Sequence, residues 1–167
     1  SKGFDPLFEV SLDDLAPRPG AESGTQALIR GVAGRFREIG HEIGGFDAYV
    51  DSRVLPGSGM SSSAAIEVLL GTSLAELFNG GEIAAVELAK IGRHAENHYM
   101  GKPCGLMDQI ACASGGAVAI DFATPERPVV EAIDIDLRSH GYRLAIVDTG
   151  GNHADLTDAY AAVPREM

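Results

Sequence analysis

Val54-Leu55-Pro56-Gly57-Ser58-Gly59-Met60-Ser61-Ser62-Ser63-Ala64-Ala65 is the stretch on which the fold turns. The residues before it, Phe46 to Leu55, read as a strand. After it a helix is expected from about Ser61 to Phe78, stopped by Asn79-Gly80-Gly81. A glycine-rich strand-to-helix turn lets backbone N–H groups face an anion. The helix start adds unpaired donors and the positive end of a dipole, and three serines add hydroxyls. A plain tight turn with a serine N-cap would use the same residues. Two familiar anion loops do not fit. A Walker A loop needs a lysine, and neither Lys nor Arg occurs between Arg53 and Lys90. A dinucleotide fingerprint needs a second strand ending in an acid, where this chain has a turn into another helix. Holding a triphosphate without a loop lysine calls for a divalent cation, and the cation calls for a carboxylate elsewhere.

Outward from this loop, the spacing of apolar residues predicts the remaining elements. Pro6 to Ser11 reads as a short strand and Asp13 to Gly24 as a loop. A helix is expected from near Thr25, with Leu28, Ile29, Val32, Phe36 and Ile39 in register, although Gly31 and Gly34 interrupt it. The helix after Ser61 is apolar nearly all round and is expected to be buried. A third helix is expected from Glu82 to Met100 and a short fourth from Gly105 to Ala113. Strands follow at Ala117–Phe122, Val129–Leu137 and Tyr142–Asp148, then a last helix from near Asp155. Helices grouped between strands predict an α+β fold, a mixed sheet packed on helices, rather than a doubly wound sheet.

Two carboxylates are candidates for the missing acid. Glu96 shares a helical face with Ala85, Ala89, Gly92 and Tyr99. Small neighbours and a nearby helix C-terminus both disfavour its charge, and a bound cation would offset both; a surface-edge glutamate is the alternative. Asp108 falls in the first turn of the fourth helix, where the dipole favours an ionised carboxylate able to accept or orient a hydroxyl proton. An ordinary helix-start acid would look the same. His94 and His98 stand at i and i+4 without a third ligand, which argues against zinc. Ser61–Ser63 lack the Gly-x-Ser-x-Gly setting of a hydrolase nucleophile.

The 167 residues suit one domain, or part of one, and 45% apolar with 22% charged residues is a globular composition. No apolar run approaches the roughly 20 residues of a membrane span, and Ser1-Lys2-Gly3-Phe4 is no signal peptide. Thirteen Lys and Arg against 24 Asp and Glu give a net charge of −11, which repels nucleic acid and anionic lipid. Cys104 and Cys112, placed on one helix, would lie about 12 Å apart and unbridged. Free thiols point to a reducing, cytoplasmic setting.

Taken together, these residues resemble a known family. Leu55 to Ala64 resembles the phosphate-binding motif of the GHMP small-molecule kinases. Glu96-Asn97-His98-Tyr99-Met100-Gly101-Lys102-Pro103-Cys104-Gly105-Leu106-Met107-Asp108-Gln109 is similar to the galactokinase branch, as is Val147-Asp148-Thr149-Gly150-Gly151-Asn152-His153 followed by Tyr160. The likeness runs from about Arg53 to Phe122 and from Tyr142 to Tyr160. It is loose before residue 45. The Pro-Cys-Gly-x-Met-Asp-Gln string is the specific part; the Gly-Ser loop alone would indicate only the superfamily.

The resemblance implies a domain of the GHMP-kinase N-terminal type and ATP-dependent phosphorylation of galactose at O1. It implies that Pro56, Gly57, Ser58, Gly59, Met60, Ser61, Ser62 and Ser63 cradle the ATP phosphates, and that Ser63 and Glu96 hold Mg²⁺. Asp108 would act on the sugar hydroxyl, with Gly105 and Tyr160 contacting galactose. Met60 stands where the family usually has Leu, a volume-conserving exchange. The family's N-terminal Arg, its Gly-Glu-His-x-Asp-Tyr stretch and its C-terminal glycine-rich motif are absent from residues 1–167. Those residues are therefore expected to be one partial domain, the middle of a longer kinase, inactive alone because transition-state charge lacks its Arg. Self-association through exposed apolar surface is expected as well. Two alternatives stay open: a kinase for another sugar, such as N-acetylgalactosamine or galacturonate, and a non-catalytic galactose- and ATP-sensing relative.

Overall fold

The computed structural model describes residues 8–21, 24–54 and 59–147. Helices α1 (Gly24–Glu38), α2 (Ser62–Phe78), α3 (Ala85–Ala95) and α4 (Met107–Ser114) precede strands β1 (Ala117–Asp121) and β2 (Val129–Ile133). One π-helical turn, Glu96–Met100, prolongs α3. The α+β class expected from the sequence is the class observed.

Helix α3 lies at the centre. Its Leu88, Ile91 and Ala95 pack with Leu28, Val32 and Phe36 of α1 and with Leu74 and Ala75 of α2. Its Ala89 turns the other way, into a second cluster with Leu106 and Ile110 that Ile120 and Val130 of the two strands cover. Phe36, Val32 and Ile110 are fully buried, so each stabilises the domain by roughly 1.5–3 kcal/mol of apolar transfer.

The glycines that interrupt α1 explain how closely α3 approaches. A Cβ on Gly31 would meet the Cβ of Ala95 at 2.7 Å and its Cα at 2.8 Å. A Cβ on Gly34 would clash with the Tyr99 hydroxyl, which donates a 2.8 Å hydrogen bond to the Leu15 carbonyl. Poor helix propensity at these positions is the cost of a backbone-to-backbone crossing. At the far end of α2, Gly81 takes a positive φ of 73°. Asn79 there accepts a bond from Glu42 N at 3.0 Å and donates one to the Glu42 carbonyl at 2.9 Å.

Several expectations need correction. Helix α2 buries only one face: Ala64, Val68, Gly71, Leu74 and Ala75 are covered, while Leu69 and Leu77 are exposed. Its described neighbours α1, α3 and α4 all lie against that one face. The third helix does not run unbroken from Glu82. It starts at Ala85 and widens into the π turn at Glu96. The fourth starts at Met107, not Gly105, which leaves Cys104 in the loop before it. The separation argued for the two cysteines from a shared helix therefore does not apply; both are free thiols, Cys104 half-buried and Cys112 exposed.

The mixed sheet is, among the described residues, a two-stranded antiparallel pair with Ala119 opposite Glu131. Residues 8–11, 46–54, 134–137 and 142–147 form no strand. A strand's hydrogen bonds need a neighbouring strand, and no described residues offer one. Tyr49, Leu144 and Val147 accordingly lie 90%, 83% and 79% exposed. Residues 1–7, the loop from Leu55 to Ser58, the stretch from Asp148 to His153 and the helix expected from Asp155 fall outside the described residues. No helix among the described residues is long and apolar enough to cross a membrane.

Candidate active site

Ser61 caps the start of α2, its carbonyl accepting the Ala65 N–H at 3.1 Å. Its side chain makes no capping bond. The backbone instead turns left-handed, φ 54° and ψ 47°, just after Gly59 at φ 73°. That conformation is unfavourable for a residue with a Cβ by about 1–2 kcal/mol. It points the Ser61 hydroxyl across to α4, where Oγ donates to Asp108 Oδ2 at 2.5 Å.

A cleft of about 250 Å³ opens at this junction, with Gly59, Ser61 and Ser63 on one side and Glu96, Lys102 and Asp108 on the other. The sequence places these groups on three separate segments, and the fold brings them together. Gly105 lines the same cleft. Its loop is held by Cys104 N–H donating to Asn97 Oδ1 at 2.8 Å. Ser62, the first residue of α2, and Met60, which is exposed, do not line the cleft. Pro56, Gly57, Ser58 and Tyr160 lie outside the described residues.

Glu96 is 2% exposed, so the surface-edge alternative is excluded. The π turn sets it at the bend: the N–H groups of Gly101 and Lys102 both return to the Glu96 carbonyl, and Gly101 takes a φ of 71° that favours glycine. Lys102 Nζ sits 3.3 Å from Glu96 Oε1.

Glu67 was not foreseen. It is 1% exposed on the covered face of α2, and Gln109 Nε2 donates at 3.1 Å both to Glu67 Oε2 and to Glu96 Oε2. Glu67 Oε1 is buried without a hydrogen-bond partner. Burial first, and the neighbouring Glu96 charge second, push the Glu67 carboxyl up to about 8. The available signal was a lone acid on a face otherwise made of Ala64, Val68 and Gly71. Burial and the Glu96 charge also raise the Cys104 thiol, making it a poor nucleophile.

The two histidines stack at 4.3 Å between ring centroids, with His94 3.8 Å from Glu38. Burial and the adjacent His98 lower the His94 pKa. Among the described residues no three His, Cys, Asp or Glu side chains gather as a metal cluster.

The cleft thus joins a glycine-serine helix start to two carboxylates. The profile described as the GHMP kinases N terminal domain matches residues 27–116, which include α1 from Ala27, α2, α3, α4 and the cleft. The chain belongs to the GHMP kinase family. As a GHMP kinase it is similar to the galactokinase of Streptomyces coelicolor, 38% identical over 159 residues that cover 93% of this chain and 39% of the relative. It is 37% identical to the galactokinase of Streptomyces lividans over 161 residues, 93% of this chain and 38% of that one. The galactokinase of Bacillus subtilis is 41% identical over 110 residues, 65% of this chain and 27% of the relative. The chain spans about two fifths of the length of the two Streptomyces relatives. No solved structure matches it.

Proposed function

We propose that this chain supplies the phosphate- and hydroxyl-handling cleft of a galactokinase, which transfers the γ-phosphoryl group of ATP to O1 of galactose. The observation that carries the proposal is the Ser61–Asp108 hydrogen bond, which holds the helix start that would face phosphate against the carboxylate that would face the sugar. The galactokinase relatives support galactose as the acceptor.

Each group has a task in this reading. The N–H groups at the start of α2, with those of Gly59 and the undescribed Gly57 and Ser58, bind and orient the phosphates through the dipole and unpaired donors, and the undescribed Pro56, which has no N–H, adds contact only. Ser61, Ser62 and Ser63 add hydroxyls. Asp108 Oδ accepts the proton of the sugar O1–H as that oxygen bonds to the γ-phosphorus and ADP leaves. Gly105, and Tyr160 by family likeness, contact the sugar.

The residues present fit Mg²⁺. Ser63 and Glu96 are hard oxygen donors on one cleft, and Glu96 Oε1 already faces the positive charge of Lys102. Two protein oxygens suffice where phosphates and water complete the shell, so the lack of a three-residue cluster is no obstacle. When bound, the ion neutralises phosphate charge. The cytoplasm is the setting this chemistry implies.

The 167 residues contain no counterpart of the family's Arg or its sugar-binding stretch, so we propose that they act within a longer kinase and do not turn over alone. A coupled ADP-release assay tests this on the chain and on the longer kinase that carries it, with galactose, N-acetylgalactosamine and galacturonate as acceptors. Galactose turnover by the longer enzyme alone is expected. A preference for either other sugar would reassign the acceptor, and turnover by the 167 residues would overturn their dependence on other segments.

A further inference from the structure

Gln109 is left without a task by the reading above, yet it is a buried polar side chain that lines the cleft. It is 2% exposed. A primary amide carries two N–H donors on one nitrogen, and in Gln109 that nitrogen lies 3.1 Å from an oxygen of each buried glutamate. With the amide nitrogen assigned to this side it finds an acceptor oxygen on each glutamate. Cys104 Sγ lies 3.6 Å from the same nitrogen.

The surrounding backbone is cut to admit this bridge. A Cβ on Gly92 would meet Glu67 Oε2 at 2.8 Å and Glu67 Cβ at 3.0 Å, so a larger residue at this position would press on Glu67, with Gln109 Cγ in contact at 3.4 Å. Glu67 reaches the bridge from α2, Glu96 from the π turn and Gln109 from α4, so three elements meet at one amide. The consequence for Glu96 is directional. Its Oε2 is tied to the Gln109 amide, and its Oε1 is the oxygen beside Lys102.

We infer that Gln109, backed by Glu67, is a positioning pair that pins one oxygen of Glu96 and so presents the other to the divalent cation of a metal–nucleotide complex. This rests on the kinase reading of the cleft. Glu67 acts here as a hydrogen-bond acceptor that fixes the amide, and its unpartnered Oε1 shows that it is not fully used by the protein itself.

The test is Mn²⁺ binding to the longer kinase that carries this chain, read by electron paramagnetic resonance with a non-hydrolysable ATP analogue present, alongside circular dichroism of each variant. Gln109→Met keeps the volume and removes both donors. It is expected to weaken Mn²⁺ binding about tenfold. Glu67→Met removes the acceptor and should weaken it several-fold, whereas Glu67→Gln keeps an acceptor oxygen and should stay within about twofold of the parent. A merely structural role would lower the melting temperature and leave the Mn²⁺ affinity of the folded protein unchanged. If Gln109→Met does not fold, the two Glu67 variants decide between the same outcomes. Parent-like Mn²⁺ affinity in Gln109→Met or Glu67→Met, or an equal loss in Glu67→Gln and Glu67→Met, overturns the positioning role and leaves the kinase reading intact. A longer kinase that binds neither Mn²⁺ nor the analogue overturns both.

Discussion

Ser61 and Asp108 stand 47 positions apart in the chain, and the hydroxyl of one donates to the carboxylate of the other at 2.5 Å. The bond draws the start of α2 and the start of α4 together, and it is made from a left-handed backbone that serine adopts at a cost. Substitution at Ser61 therefore separates two effects. Ser61→Ala loses the bond and keeps the strain, whereas Ser61→Gly loses the bond and relieves the strain. The glycine variant should be the more stable of the two by about 1 kcal/mol in urea denaturation. Equal stability, or a more stable alanine variant, would count against the left-handed conformation.

The two cleft carboxylates should fail differently in the longer kinase. Glu96→Ala should weaken metal–nucleotide binding and raise the Mg²⁺ needed for activity. Asp108→Asn should lower kcat by at least about 10²-fold, as for loss of a general base. Its nucleotide affinity should change by less than roughly 1 kcal/mol. Calorimetric titration beside steady-state rates reads both. Loss of nucleotide binding in Asp108→Asn with normal binding in Glu96→Ala would reverse the roles.

Gly31 answers to packing rather than propensity. In an isolated helix Gly→Ala is favourable by up to about 1 kcal/mol. Here the added methyl would press on Ala95, backbone included. Gly31→Ala should therefore destabilise the fold by about 1–3 kcal/mol, the range of overpacking. Gly40, with open space around it but a φ of 88°, should lose stability on substitution through backbone strain alone. A stabilised Gly31→Ala in thermal denaturation would show that α1 and α3 do not cross this closely.

Glu67 should make the fold weaken as pH rises. Its carboxyl titrates near 4.5 when unperturbed and is pushed up to about 8 in the fold, where Glu96, Gln109, Lys102 and Cys104 surround it. Between those values the folded chain holds a proton that the unfolded chain has released, so deprotonation favours unfolding. Stability contributed by this group is full below about pH 4.5 and is lost towards pH 8, with a slope of at most about 1.4 kcal/mol per pH unit. Glu67→Gln should flatten that slope in urea melts at successive pH values. An unchanged slope in the variant would assign the dependence to other groups.

The sequence by itself was sufficient for the existence of the four described helices, though not for all their ends, and for the family. Helical hydrogen bonds close within four residues, so the spacing of Leu28, Val32 and Phe36 carries its own evidence. The Pro103-to-Gln109 string likewise names its neighbours without reference to anything distant. Only the tertiary structure decided the rest. Residues 46–54 and 142–147 have apolar composition suited to strands but no described partner, and strand pairing is a property of two segments. Glu67 became part of the site because α2, α3 and α4 cross where Gly92 leaves room, a coincidence of three elements that no local pattern encodes. The left-handed turn at Ser61 and the π turn at Glu96 belong to the same class. Both are local departures whose hydrogen bonds and burial involve residues that only folding brings near.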